Sequence, residues 1–527
     1  MAEGTPEFIY ANVLEALTGG LYPNKLDVVR EYIQNSYDAI RERIRICEDL
    51  HEETELKENL RIDVHIDAGS MFIFDNALGM DYETLNEYRK IGFSRKPYGE
   101  YAGWRGIGKA AGLAVSEKLL VTTSTGNGKT HLLTFDARKM IDEIKDLRSK
   151  GENIPFNKLI EKYSIIKSSD GGDAPFTNIE LHMIKNDAKE LLDEEEVIAH
   201  LSLLSPVPFS PAFAFKEEIE TELHDILDDY CPVNLYVNSK QIYKPHIHEW
   251  GTEGKKTTLL RPSTVTIYDE DKKDILAFCW YCMNSESSQI TEPRSVSENK
   301  SVTLGGLLFR VDDIKIGERS LTRSAIWKVS SHLAYYATGE IHVIDNAVEP
   351  SSDRNGFSDN FARYHLFNEC KVISSEINRK ARRTSKETRA EKKITAAGNT
   401  LEVIKSRVAE KYIPIETATS YIHQLQELRV EVNKRSRETS RSDLKDKAGT
   451  ILKESSELLE IITSALSTPQ AEEQIYVYTP DLFNLGEESK VVYDTIVSVL
   501  KEFYSYSPAV FEDILRKIRV AFEEASE

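Results

Sequence analysis

The sequence is short of basic charge, of cysteine and of long apolar runs. Its 527 residues hold 67 Lys and Arg against 87 Asp and Glu, a formal net charge of −20. That deficit of cations argues against a simple nucleic-acid coat, while leaving room for a local basic groove. Five cysteines (Cys47, Cys231, Cys279, Cys282 and Cys370) are too few and too scattered for a disulfide framework. Apolar runs such as Ile275–Phe278 fall far short of the roughly 20 residues that span a bilayer. The opening MAEGTPEFIY lacks the basic start and apolar core of a signal peptide. A cytoplasmic, multidomain protein with no membrane partner is expected. With 40% hydrophobic and 29% charged residues, the composition suffices for several buried cores.

The chain reads as four parts. Residues 1–210 alternate helical periodicity with short strand-like runs, which predicts an α/β layer domain. A soft boundary at Ser205-Pro-Val-Pro-Phe-Ser-Pro211 leads into a second mixed block, 211–365. Residues 366–470 turn to charged, helix-forming sequence without strands. There Leu444, Ala448, Ile451, Ser455, Leu458, Ile462 and Leu466 recur at the three- and four-residue spacing of a coiled-coil or bundle helix. Residues 471–527 form a small acidic end, expected to be helical. Within the helical arm, residues 371–393 carry nine Lys and Arg and three Glu. Such a run reads as a solvated helix face, with a phosphate-binding or partner-docking patch as the alternative.

Three segments carry chemistry. Lys25–Leu50 reads as one helix whose Ile33, Tyr37, Ile40, Ile44 and Cys47 form a buried stripe. Glu31, Asn35 and Asp38 follow the same spacing, rotated about half a turn away. A hairpin follows, Arg61–Asp67 and Met71–Phe74, running into Asp75-Asn-Ala-Leu-Gly79-Met80. A carboxylate at a strand end with a Gly close behind suits a pocket floor, where backbone must approach a flat ligand. The third segment is Gly92-Phe-Ser-Arg-Lys96 and then Gly103-Trp-Arg-Gly106-Ile107-Gly108-Lys109. Glycines opening a helix present unpaired N–H groups and a positive dipole end, which is a phosphate site.

Other patterns fail on context. Gly126-Asn-Gly-Lys129-Thr130 resembles the end of a P-loop but lies between two strand-like runs, where a hairpin turn is expected. Cys279 and Cys282 have CxxC spacing without a second pair, and His246 and His248 lack an obvious third ligand, so neither set reads as a metal site.

Together and in this order the three segments resemble the GHKL ATPase superfamily, which groups gyrase, the ninety-kilodalton heat-shock chaperone, histidine kinases and MutL around the Bergerat nucleotide-binding fold. The heat-shock chaperone branch is the most similar. E-x-x-x-N-x-x-D-A stands as Glu31, Asn35, Asp38 and Ala39. D-x-G-x-G stands as Asp75 and Gly79 with Ala77 in place of the first glycine, and G-x-x-G-x-G as Gly103, Gly106 and Gly108. A supporting Thr is expected at Thr177, after Phe176 instead of the usual Gly.

The resemblance implies ATP and Mg²⁺ as cofactors. Glu31 would be the general base and Asn35 the Mg²⁺ ligand. Asp75 would accept from the adenine amino group, supported by Thr177, while Gly79 and Met80 shape the adenine pocket. Residues 92–108 would form a lid, with the Gly106, Ile107 and Gly108 amides around phosphate; Lys109, Lys96 and Arg95 are candidates for added charge there. The second block would be a βαβ transducer, with Arg354 in a loop before a short helix and reaching the γ-phosphate. Such an enzyme works as an ATP-driven clamp, with homodimerisation of its N-terminal domains. Three uses stay open: a chaperone-like ATPase acting on a protein client, a DNA-associated clamp of the MutL or Microrchidia type, and an ATPase subunit of a defence system that controls a separate effector.

Overall fold

A computed structural model describes residues 10–11, 14, 22–49, 59–97, 101, 106–227, 230–252, 255–285, 289–290, 293–295, 301–327, 330–410, 412–467 and 474–476, with a few positions between 492 and 518. Gly103 and most of 471–527 lie outside them. Two compact units emerge, 1–381 and 382–527.

The first unit begins with α1 (Asp27–Asp49). Its start is marked by Asn24, whose side-chain oxygen accepts from the Leu26 amide at 3.1 Å, and by Asp27 in the first turn, where a carboxylate favours the positive end of the helix. The hairpin β1 (Arg61–Asp67) and β2 (Ser70–Asp75) follows, then α2 (Tyr82–Tyr88), a 3₁₀ turn at Gly108–Ala110 and α3 (Gly112–Val115). The next hairpin, β3 (Ser116–Thr125) and β4 (Lys129–Asp136), contains the Gly126-Asn-Gly128 turn, so that segment is not a phosphate loop. With β5 (Ser164–Asp170), β6 (Pro175–Ile184), β7 (Asn234–Val237) and β8 (Lys240–Gln241) these strands make one sheet in the order β5-β4-β3-β6-β2-β1-β7-β8. The helices α4 (Ala137–Ser149) and α5 (Phe156–Tyr163) lie between β4 and β5, and α6 (Glu194–Leu204) and α7 (Lys216–Ile226) between β6 and β7. Every pairing is antiparallel except β1 with β7.

Alternation along the strands sends Ile62 and Val64, Met71 and Ile73, Leu119 and Val121, and Ile179 and Leu181 into one core with the apolar stripe of α1. Ile33, Tyr37, Ile40 and Ile44 of α1 are buried as the periodicity predicts, while Cys47 is only half-buried. The opposite side of α1 is covered as well. Arg41 pairs with Asp312 at 3.4 Å and Arg30 donates to the Asp353 carbonyl at 3.3 Å, so the following block covers it. Between Val28 and Arg41 the half-exposed positions of the helix reduce to a line through Glu31, Asn35 and Ala39.

That following block has its own five-stranded sheet, with β9 (Ser263–Tyr268), β10 (Ile275–Met283), β11 (Gly306–Val311), β12 (Ile314–Ile316) and β13 (Ala337–Val343) in the order β9-β10-β13-β11-β12. β11 and β13 run parallel, and α8 (Arg319–Ile326) lies in the connection between them. Cys279 and Cys282 sit buried on β10 as core residues. Its junction with the first sheet holds a fully buried charge cluster. Lys244 Nζ bonds Asp313 Oδ1 at 2.7 Å and Glu340 Oε2 at 3.2 Å. Arg310 Nε lies 2.6 Å from Glu340 Oε1, and His246 and His342 flank the same carboxylate. Asp313, Glu340 and His342 have metal-ligand chemistry, but the Lys244 ammonium already stands between the two carboxylates.

In place of a short helix after Arg354, the chain enters α9 (Phe361–Val408), 48 residues long. From residue 382 onward α9 belongs to the second unit. There it shares an apolar core with α10 (Ile415–Glu438) and α11 (Ser442–Leu466). Leu444, Ala448, Ile451, Ser455, Leu458 and Ile462 are buried at the expected spacing, and Leu466 is partly so. One strand pair interrupts the helical texture, Tyr412–Pro414 against Gln474–Tyr476. Among the described residues no helix is long and apolar enough to cross a membrane.

Candidate functional site

A cavity of about 310 Å³ opens between α1, the end of β2, the 92–96 segment and the Gly106–Lys109 turn. Glu31, Asn35, Asp75, Gly79, Met80, Lys96, Gly106, Ile107, Gly108, Lys109 and Thr177 all line it, and Arg354 enters from the second block with Ser352. Residues separated by more than 300 positions in sequence therefore face one space.

Its floor is Asp75, the last residue of β2, with its carboxylate 3% exposed. Ser36 Oγ donates to Oδ2 at 2.8 Å and the Ala77 amide to Oδ1 at 3.1 Å. Each oxygen keeps acceptor capacity toward the cavity. Burial pushes the pKa up to about 6, against the opposing pull of these two hydrogen bonds. Thr177 stands directly across the β2–β6 ladder from Asp75. Its hydroxyl is 3.4 Å from that of Thr123, which accepts from the Met80 amide and donates to the Phe176 carbonyl, both at 2.8 Å.

Gly79 explains the shape of the floor. Its φ is +65°, and a Cβ there would lie 1.7 Å from the Ser124 carbonyl oxygen. Only a residue without a side chain lets this loop lie against β3. Ala77 has no such need: it avoids positive φ and is fully buried in the core, so its departure from the glycine pattern costs the loop nothing. Gly79→Ala is expected to destabilise the fold by roughly 2–4 kcal/mol, through overpacking and backbone strain. It should also weaken nucleotide binding at least tenfold, which urea unfolding and equilibrium titration would measure.

Glu31 borders the opposite end. Its Oε1 lies 3.4 Å from both Nε and Nη2 of Arg30, the residue that also holds the Asp353 carbonyl. A Cβ on Gly108 would come within 2.1 Å of Glu31 Oε2, so the glycine turn presses its backbone onto this carboxylate. Gly106, at φ +68°, packs as tightly on the Phe93 carbonyl, and its own carbonyl accepts from the Gly92 amide at 3.0 Å. The 92–96 segment is thereby tied to the turn.

The cations divide. Lys96 Nζ bonds Asp38 Oδ2 at 2.6 Å, and the Asp38 carboxylate is wholly buried behind it. Asp38 thus acts on the site through Lys96 and does not itself line the cavity. Lys109 Nζ donates to the carbonyls of Phe93 (2.6 Å) and Glu87 (3.3 Å), and burial lowers its pKa to about 8. Its ammonium fastens the 92–96 segment. Arg95 reaches Glu87 at the surface. Arg354 is 8% exposed with φ +55°. Its loop is closed by Ser351, whose amide bonds the Gly356 carbonyl at 2.9 Å, and by the Gly317 amide on the Arg354 carbonyl at 2.8 Å. A strained, well-bonded loop of this kind holds a side chain at one address.

Sequence reasoning missed Ser36 and Thr123, the two hydroxyls that position the floor, and the aromatic walls Tyr22, Tyr32 and Tyr88. Ser36 sits inside the E-x-x-x-N-x-x-D pattern at a position the pattern leaves open. Thr123 lies in a strand whose partner becomes visible only through the sheet.

Residues 25–167, a little over a quarter of the chain, match a family model described as "Histidine kinase-, DNA gyrase B-, and HSP90-like ATPase". That span holds all three segments and ends before Thr177 and Arg354. The match supports a GHKL-type ATP-binding domain there and, at that coarse level, an ATPase. No curated protein matches the chain.

Proposed function

We propose that the protein is an ATP-hydrolysing conformational switch in which the second block senses the bound triphosphate. The observation that supports this most is the entry of Arg354 into a cavity already holding Glu31 and Asp75. In this reading the adenine amino group donates to Asp75, with Thr177 behind it, and the Gly106–Gly108 backbone takes phosphate oxygens. Glu31 orients and deprotonates the attacking water.

The donor set suits Mg²⁺ bound mainly through water and phosphate: Asn35 offers one neutral oxygen in the cavity, as fits an ion that keeps most of its waters. When bound, the ion neutralises charge on the phosphates. Lys96, held by Asp38, is placed to turn toward phosphate as the lid closes. The Arg354 guanidinium, permanently charged, can pair two γ-phosphate oxygens at once. Closure of the two blocks on ATP then drives the clamp cycle, with dimerisation of the N-terminal halves that the family resemblance implies.

Arg354→Ala is expected to slow turnover by roughly 10²-fold or more while changing ATP affinity less than fivefold, since its pairing strengthens toward the transition state. Steady-state phosphate release beside equilibrium binding checks this. Unaltered turnover removes Arg354 from the site.

A further inference from the structure

Two contacts tie α1 to the second block at comparable spacings along both partners. Arg30 and Arg41 are both buried. They stand about three turns apart within roughly 20° of one helix face, which separates their Cα atoms by about 16 Å. Arg30 donates to the Asp353 carbonyl at 3.3 Å, and Arg41 pairs with Asp312 at 3.4 Å. The second block meets them with one hairpin. β11 and β12 are joined by the two-residue turn Asp312-Asp313, closed by the Val311–Ile314 pair. Just past the end of β12, the Gly317 amide bonds the Arg354 carbonyl at 2.8 Å. A Cβ on Gly317 would come within 2.9 Å of the Asn355 carbonyl oxygen, so the loop carrying Arg354 rests directly on this strand end. The chain from Asp312 to Gly317 covers about 16 Å when extended. Helix and hairpin are thus strapped together at both ends.

Both turn residues take left-handed backbone, with φ +50° at Asp312 and +56° at Asp313. Such turns favour Asn or Asp first and Gly second. Asp313 stands in the glycine position, and its carboxylate is held by Lys244 at 2.7 Å. The turn therefore sends one carboxylate into the buried cluster and the other toward α1. Burial raises the pKa of Asp312; Arg41 pulls it down, Asp38 raises it and Arg354 lowers it. The Asp312 charge is thus felt by the Arg354 guanidinium as well as by its bonded partner Arg41.

We infer that Asp312 is a positioning residue for Arg354. It fastens the hairpin that bears the Arg354 loop against α1, and its charge steadies the guanidinium at the cavity wall. The inference rests on the proposed role of Arg354 toward ATP. Asp312 does not itself line the cavity, so it acts through the arginine. An acid so placed repels a triphosphate and costs affinity. In exchange the sensor is oriented before the nucleotide arrives, which favours the transition state.

The test measures ATP turnover and the equilibrium binding of ATP and ADP by the full chain. Asn serves the first turn position as well as Asp does, so Asp312→Asn should keep wild-type circular dichroism and melting. Its turnover should fall roughly tenfold. Its ATP affinity should stay level or rise by up to about fivefold, and its ADP affinity should not change. Arg41→Gln should repeat the slow turnover, and Arg41→Lys should recover most of it. Added to Arg354→Ala, Asp312→Asn should cost less than about twofold more, because it acts through that arginine. Wild-type turnover in Asp312→Asn, or its full loss on top of Arg354→Ala, would overturn the inference. So would an equal loss of ATP and ADP binding, the mark of a merely structural role. Unaltered turnover in Arg354→Ala alone would overturn the reading of that arginine, and this inference with it.

Discussion

Replacing Glu31 by Ala is expected to leave ATP bound within about threefold of the wild-type affinity and to lower turnover by 10²–10⁴-fold, the usual contribution of a positioned general base. The geometry separates the two effects. Glu31 lies at the glycine-turn end of the cavity, against Gly108, where the proposal puts the triphosphate, while the groups that would hold the base lie around Asp75. Removing the carboxylate also frees Arg30 from its contact at 3.4 Å, yet leaves its bond to the Asp353 carbonyl. The loop carrying Arg354 should therefore stay in place. Glu31→Gln discriminates further: it keeps size and hydrogen bonding but cannot take a proton, and should be nearly as slow as the Ala variant. Single-turnover hydrolysis with prebound ATP reads the chemical step directly. Equal loss of binding and hydrolysis in both variants would show that Glu31 builds the pocket instead of working in it.

Asp75→Asn should do the reverse and weaken ATP binding by at least 100-fold. Asn can keep the Ala77 amide on its oxygen and give an N–H to Ser36 Oγ, but it then meets the adenine amino group with fewer acceptor sites and no charge. The folded-state pKa of about 6 stands above the ordinary carboxylate value of 3.8. Keeping Asp75 ionised thus costs native stability at neutral pH, by about 3 kcal/mol. That cost is relieved as pH falls from about 6 to about 4. The neutral Asn escapes it, so the ligand-free variant should melt no lower than the wild type at pH 7 and lose the wild type's gain on mild acidification. ATP binding moves the other way: an ionised acceptor favours the amino group, so wild-type affinity should fall as pH drops through about 6. Calorimetric titration from pH 5.5 to 8 and thermal melts over the same range check both signs. Wild-type ATP affinity in Asp75→Asn would overturn the pocket assignment.

Much of this site was legible in the sequence because each part is a local pattern. The i, i+4, i+7 placement of Glu31, Asn35 and Asp38 follows from helical period, and Asp75 with Gly79 marks a strand running into a tight turn. Asp38 shows where period stops being informative. It shares the polar edge with Glu31 and Asn35, yet a second block lies over that edge and its carboxylate is sealed behind Lys96. Tertiary covering of this kind leaves no trace in the spacing. The same holds for Arg41 with Asp312 and for the Lys244–Asp313–Glu340 cluster, whose members come from separate elements and meet only after both sheets form. Lys109 is a candidate phosphate ligand from its place after Gly108; the fold turns its ammonium onto two carbonyls and makes it a fastener of the 92–96 segment. Leu444 to Ile462 lay at the other extreme, where a single periodicity identified the buried face of a whole helix.

The central claim is that this cavity binds ATP and cleaves it. Phosphate release from ATP by the full chain, followed at saturating ATP with and without Mg²⁺, tests it most directly. Slow, Mg²⁺-dependent release that disappears in Glu31→Ala is the predicted result; ATP that binds without any release from the wild-type chain, or release that persists undiminished in Glu31→Ala, would contradict it.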